Sequence, residues 1–195
     1  MPKEMILEYL ALNKEEDNLR LRLVMQTAPL LKGIKYSCIL VVKHADWKLV
    51  RRELAHTDIV CEILHRSRSK HVIFLYRRDS INAHLQQDAV RNFLLQFGYM
   101  GESLEDLLPL LKQRVGCFYE NNESFPHEIG IFLGYPIADI EGFIANEGRN
   151  YLLCGYWKVY SDLSRAKEVF RKFDDAKDKA TRELLAGKTL CEIAG

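Results

Sequence analysis

The sequence predicts an α/β or α+β fold, with a central mixed sheet of about five strands flanked by helices in a single globular domain over residues 1–195. Three features predict it. Runs such as Ile39-Leu40-Val41-Val42 and Val72-Ile73-Phe74-Leu75 have strand length and are apolar at every position, the pattern of strands covered on both faces. Other segments repeat apolar residues every three or four positions, as helices with one buried side do. The two kinds of segment mix along the whole chain, with no linker, repeat or low-complexity tract between them.

Taken in order, Leu19, Leu23, Val24 and Ala28 predict a helix over residues 15–28 that stops at Pro29. Strands are expected near 36–42, 59–64 and 71–76, with a short helix from Asp46 to Leu54 after the first. Ile81, Leu85, Val90, Phe93, Leu94 and Phe97 form a stripe that predicts one helix from Ser80, its N-cap, to Gly98, its C′ glycine. A further helix starts at Ser103, with Asp106 in a capping-box position and Pro109 bending it or marking its true start. The apolar run 128–133 is expected as a fourth strand, Pro136 as the start of a helix through Ile144, and residues 151–159 as a fifth strand. Leu163, Ala166, Val169, Phe170, Phe173, Ala180 and Leu184 then trace a helix from Asp162 to Ala186, ended by Gly187.

A chain of this length buries roughly 70% of its extended surface on folding and needs neither disulfide nor metal to do so. At 48% hydrophobic and 28% charged, the composition is that of a globular protein. No run of about 18 apolar residues is present. The start, Met1-Pro2-Lys3-Glu4-Met5, lacks the apolar core of a signal peptide, so a cytoplasmic protein with no membrane partner is expected. Cys38, Cys61, Cys117, Cys154 and Cys191 form no CxxC pair. Most sit in apolar company, so buried, reduced and inert thiols are expected.

The net charge of +1 hides an asymmetry. Residues 1–78 hold 15 Lys and Arg against 9 Asp and Glu, or +6, and residues 79–195 carry −5. The densest positive run is Arg66-Ser67-Arg68-Ser69-Lys70-His71, followed by Arg77-Arg78. It reads as a solvated turn between strands, because the overall basic excess is small and no nucleic-acid-binding motif accompanies it.

Several signatures are absent. There is no GxxxxGK[ST] loop, no GxGxxG after a strand and no GxSxG elbow. His127-Glu128 begins like HExxH, but the position of the second histidine is Ile131, so no zinc-protease site forms. What stands out is the stretch Phe125–Tyr160, where aromatics, glycines and prolines gather around His127, Glu128 and Lys158. Glycine and proline at strand ends fix backbone paths and open crevices at helix N-termini, where anions are favoured.

The string FPHEIGIFLGYPIADIEGFI from Phe125 to Ile144, the string CGYWKVY from Cys154 to Tyr160, and a following helix with Ala166 and Phe170 resemble the bacterial family known as domain of unknown function 3793. Thr27-Ala28-Pro29 with Lys35, Tyr76-Arg77 and Gly98-Tyr99 resemble its pattern too. The resemblance implies a cytoplasmic protein of anaerobic, Clostridia-type bacteria and a chain that is one complete unit. It implies no catalytic residue. Its polar motif positions are Lys35, Arg77, His127, Glu128 and Lys158.

Two functions fit these residues. In the first, the chain binds a small anionic ligand and is potentially an enzyme. Lys35, Arg77 and Lys158 supply positive charge, Tyr135 lines the site, His127 exchanges protons, and Glu128 orients His127 or acts in its place. The expected site is a pocket lined by His127, Glu128 or both, walled by Tyr135 and residues 155–158, with Lys35 or Arg77 at its mouth. In the second, the chain is a non-enzymatic interaction or regulatory module that presents Tyr151, Tyr156, Trp157 and Tyr160 to a partner. Haem or iron handling, with His127 or a cysteine as ligand, is a weaker third alternative that the anaerobic setting alone suggests. Cofactor identity, strand order and oligomeric state do not follow from the sequence.

Overall fold

The computed structural model describes residues 3–12, 14–121 and 123–195. Strands β1 (Ser37–Lys43), β2 (Ile59–Arg66) and β3 (Lys70–Arg77) form an antiparallel sheet in the order β1-β3-β2. Ser37 lies opposite Tyr76 and Lys43 opposite Lys70, while Ile59 lies opposite Arg77 and Arg66 opposite His71. A bulge between Ile63 and His65 lets the consecutive residues Leu64 and His65 both be buried.

The central strand is apolar at consecutive positions because helices cover both faces of the sheet. Helices α1 (Lys3–Leu12), α2 (Glu15–Leu31) and α3 (His44–Leu54) lie on the face of Ile73 and Leu75. Helices α4 (Arg78–Leu85), α5 (Asp88–Leu95), α6 (Leu104–Asn121), α7 (Ile129–Phe132) and α8 (Ile137–Ala145) pack toward Val72, Phe74 and Tyr76. Helices α9 (Leu163–Leu185) and α10 (Leu190–Ala194) return to the first face, where Ala180 and Leu184 meet Leu21, Val24 and Ala28 of α2. Between α8 and α9, strands β4 (Leu153–Cys154) and β5 (Lys158–Val159) make a separate two-stranded hairpin. The architecture is a mixed α+β fold.

The central sheet therefore has three strands rather than about five, and it is antiparallel rather than mixed. Residues 128–133 are not a strand. Ile129, Gly130 and Ile131 donate their amides to the carbonyls of Pro126, His127 and Glu128, three residues back, and the run closes into the single turn α7. A short apolar run fully buried in a core has no periodicity to separate the two structures. Residues 151–159 fold back on themselves at Gly155, whose amide donates to Trp157 O at 3.1 Å. A Cβ at Gly155 would fall 2.2 Å from the Phe170 ring, so glycine lets the hairpin lie against α9.

The stripe from Ser80 to Gly98 is two helices, α4 and α5, broken where Gln87 takes extended φ and ψ. The step from Leu85 to Val90 is five residues, too long for one helix face, and that step is where the chain turns. Ser80 lies inside α4 and does not cap it. Helix α2 runs two residues past Pro29 before Gly33, at φ 66°, ends it. Ser103 and Asp106 do form the expected reciprocal cap, with Ser103 N–H on Asp106 Oδ2 and Asp106 N–H on Ser103 Oγ.

None of the five cysteines is in a disulfide, but neither are all of them buried: Cys154 and Cys191 are exposed. Cys154 lies on a two-residue strand with one side to solvent, and Cys191 on the outer side of α10. Burial pushes the Cys38 thiol up to about 12 and the Cys61 thiol up to about 11. A thiol reagent at mildly alkaline pH is expected to modify Cys154 and Cys191 first and Cys38 and Cys61 only on unfolding, as site-resolved mass spectrometry would show.

Candidate functional site

The turn Pro126–Glu128 that leads into α7 decides where the site lies. His127 and Glu128 are consecutive residues of a turn, and they part company. The Glu128 side chain is 2% exposed; its Oε1 accepts from Arg114 Nη1 at 2.8 Å and from Tyr99 OH at 3.1 Å. Its carboxylate ties α6 to α7. The His127 ring packs between Phe125 and Phe143, with centroids 5.6 and 4.8 Å away, and has no hydrogen-bond partner among the described residues. No hydrogen bond joins it to Glu128, so Glu128 does not orient the imidazole.

His127 lines a cavity of about 350 Å³ together with Ile129, Tyr135, Asp139, Trp157 and Lys158. Leu133, Ile140 and Phe143 complete most of its wall, which is mainly apolar. Gly130 sits under it at close quarters: a Cβ there would lie 2.9 Å from Ile140 and 3.2 Å from the Tyr135 ring. The rings of Tyr135 and Trp157 stack at 5.4 Å, and Trp157 meets Phe170 edge-on at 4.5 Å.

Asp139, in the first turn of α8, holds this wall to the hairpin. Its Oδ2 accepts from Trp157 Nε1 at 2.7 Å, and its Oδ1 accepts from the Tyr160 amide at 2.8 Å, the Ser161 amide at 2.9 Å and Ser161 Oγ at 2.8 Å. Burial alone would raise its pKa, but these four donors outweigh burial and hold the carboxyl below the ordinary 3.8, ionised and fully occupied. Lys158 donates to Gly148 O at 2.7 Å, with its ammonium 5.5 Å from the Phe143 centroid and 5.0 Å from that of Tyr151. Two of its three N–H bonds are left for another acceptor.

The other expected cations lie elsewhere. Arg77 is a clamp on the end of α2: it donates to Leu30 O at 3.2 Å, Leu31 O at 3.0 Å and Ala194 O at 3.4 Å, and pairs with Asp58. A guanidinium on the last carbonyls of a helix satisfies groups that the helix itself cannot. Lys35 is half-buried against the Tyr135 and Phe173 rings, at 5.1 and 6.0 Å, and is not part of the cavity wall. Burial lowers its pKa, and no carboxylate pairs with it among the described residues. The structure thus brings His127, Tyr135 and Lys158 to one cavity and leaves Lys35, Arg77 and Glu128 outside its wall.

Of the aromatics read as a partner surface, Trp157 is part of the cavity wall and Tyr156 OH is bonded to Asp174 at 2.8 Å. Tyr151 covers Lys158, and Tyr160 packs its Cβ and the base of its ring against Gly142 with its hydroxyl buried. No cluster of three or more His, Cys, Asp or Glu able to hold a metal exists among the described residues. No helix of the described residues is long and apolar enough to cross a membrane.

Burial holds His127, His71 and His84 below the ordinary 6.5, against the pull of Glu128 on the first and of the Ile131 carbonyl on the last. In the unfolded chain these rings take up protons first as pH falls. Their neutral-state stability is therefore present above 6.5 and is lost as pH drops toward the folded values. The thermal midpoint is expected to fall between about pH 7 and about pH 5, well before the carboxylates titrate, and scanning calorimetry across that range checks it.

No curated protein and no solved structure matches this chain. A family model described as "Protein of unknown function (DUF3793)" matches residues 23–194, nearly the whole length, and the chain belongs to that family.

Proposed function

We propose that the protein binds a small molecule with a flat apolar body and one anionic group. The body lies among Phe143, Tyr135 and Trp157, the anionic group meets Lys158, and a hydrogen-bonding atom meets His127. The observation that carries this reading is the pairing, in one wall, of a neutral imidazole without a partner and an ammonium with free N–H bonds. The volume of about 350 Å³ is that of a small-ligand pocket. Any proton transfer to the bound molecule falls to His127, because both Asp139 oxygens are committed and Glu128 is not part of the cavity wall.

The test is a thermal-shift screen of aryl carboxylates and aryl phosphates against their neutral amide and alcohol analogues. A native-state ligand raises the midpoint by mass action. Lys158→Met should weaken the anionic compounds at least tenfold and leave the neutral analogues unchanged. The proposal fails if no compound stabilises the protein, or if Lys158→Met binds both sets as well as the unaltered chain does.

A further inference from the structure

The sequence shows the basic run 66–71, followed by Arg77 and Arg78. The structure adds to it and takes from it. Arg77 and Arg78 leave the patch, since they pair with Asp58 and Glu105. Lys43 joins directly, because it lies opposite Lys70 in the β1–β3 register. Helix α3 starts at the end of β1, its first amide donating to Ser69 O at 3.0 Å, and so brings Lys48 and Arg51 to the same end of the sheet. Arg51 and Arg66 then line one groove of about 570 Å³ with Trp47, and Lys43 and Lys70 line a second one.

Lys43, Lys48, Arg51, Arg66, Arg68 and Lys70 are all exposed. None of the six has an ion pair or a side-chain hydrogen bond among the described residues, whereas Arg20, Arg52, Arg77, Arg78, Arg91 and Arg114 each meet a carboxylate. Of the acids bordering the patch, Glu62 is held by Lys112 and Glu120 lies 3.6 Å from His65 Nδ1; Asp46 is the third. Two lysines directly across a strand pair repel each other, a cost that an anion between them relieves. The turn that carries the charges is fixed: Ser67 N–H and Oγ both bond Lys70 O, at 2.9 and 3.2 Å, and Lys70 N–H bonds Ser67 Oγ at 3.1 Å. In the same corner His71, 7% exposed, stacks on His44 at 4.1 Å with its Nδ1 unpartnered.

We infer that this end of the sheet binds the phosphate backbone of a single-stranded nucleic acid. The charges are spread over two grooves and the turn between β2 and β3 rather than focused on one point, which suits a polyanion. Arg51 lies 5.9 Å from the Trp47 ring and Arg66 lines the same groove, and guanidinium with aromatic is the pairing that phosphates and unstacked bases take. The turn Ser67-Arg68-Ser69 has no apolar side chain to enter a lipid surface. The inference is independent of the cavity proposed above.

Fluorescence anisotropy with a labelled oligothymidylate and a labelled oligouridylate, each of about twenty nucleotides, tests it. Binding should weaken steeply with salt, with a slope of log affinity on log salt of about −4 for six phosphate contacts. The triple variant Arg66→Glu, Arg68→Glu, Lys70→Glu should lose at least tenfold in affinity. A control with the same charge change on α9, Lys167→Glu, Arg171→Glu, Lys172→Glu, should bind within twofold of the unaltered protein, as should Lys158→Met. The inference is overturned if neither oligonucleotide binds at low salt or if the α9 control loses as much. It is also overturned if polyglutamate of matched length binds as tightly and is released by the same triple variant, since the partner would then be an acidic polypeptide. Far-ultraviolet circular dichroism of each variant establishes that the fold is kept.

Discussion

Asp139→Ala is expected to destabilise the protein by about 3 kcal/mol, because it strands four donors in a largely buried wall. The side chain is 3% exposed, and among the described residues the Trp157 indole and the amides of Tyr160 and Ser161 have no other acceptor. The loss should be read in urea denaturation as a lower midpoint at unchanged slope. Asp139→Asn keeps the shape but turns an NH2 toward donors, so roughly half the loss should remain. Asp162→Ala removes a cap that holds one amide, Arg165 N–H at 2.9 Å, and should cost only about 1 kcal/mol. If Asp139→Ala cost no more than the cap, the hairpin would not depend on that carboxylate.

Arg114→Met is expected to cost about 3 kcal/mol as well, for a different reason. It leaves the Glu128 carboxylate, 2% exposed, with the Tyr99 hydroxyl as its remaining partner. Removing one side of a buried ion pair is costly mainly through the charge left behind. The part-exposed position of Arg114 keeps the figure at the lower end of that range. Adding Glu128→Gln to Arg114→Met should recover much of the loss, since the stranded charge is then gone. A double variant as unstable as Arg114→Met alone would show that the guanidinium acts through Phe97 O, which it bonds at 2.8 Å, and not through Glu128.

Where the sequence and the structure agree, each residue carried its own signal. The run in β3 is apolar at every position because both faces are covered, whereas the edge strand β1 leaves Val41 53% exposed; Asp162 to Ala186 has an unbroken stripe closed by Gly187. Where they part, the deciding information is distant in sequence. Ile129–Phe132 is a turn because the backbone bonds back to Pro126–Glu128, which an apolar run does not reveal. The hairpin at Gly155 is set by the Phe170 ring fifteen residues on. The five-residue step after Leu85 was visible and marks the break between α4 and α5.

The site divides in the same way. His127, Tyr135 and Lys158 stand near glycine and proline turns that the sequence displays, and they line one cavity. Arg77 and Glu128 looked alike as candidates, yet their partners, Leu30, Leu31, Ala194 and Arg114, are not adjacent in sequence and take up their hydrogen bonds. Asp139 gave no signal, because its meaning lies in Trp157, Tyr160 and Ser161, about twenty residues later.

Trp157 is the reporter that tests the cavity most directly. With Trp47 replaced by phenylalanine, it is the remaining indole of the chain, packed on Tyr135 and Phe170 and bonded to Asp139 in the cavity wall. Titrating an aryl carboxylate into the Trp47→Phe protein should change the Trp157 emission along a saturable single-site curve. Leu133→Phe, which narrows the cavity from its wall, should abolish that curve while the protein still unfolds cooperatively. An emission that stays constant for every aryl anion, or a saturable curve that Leu133→Phe leaves in place, would contradict a ligand site at His127, Tyr135 and Lys158.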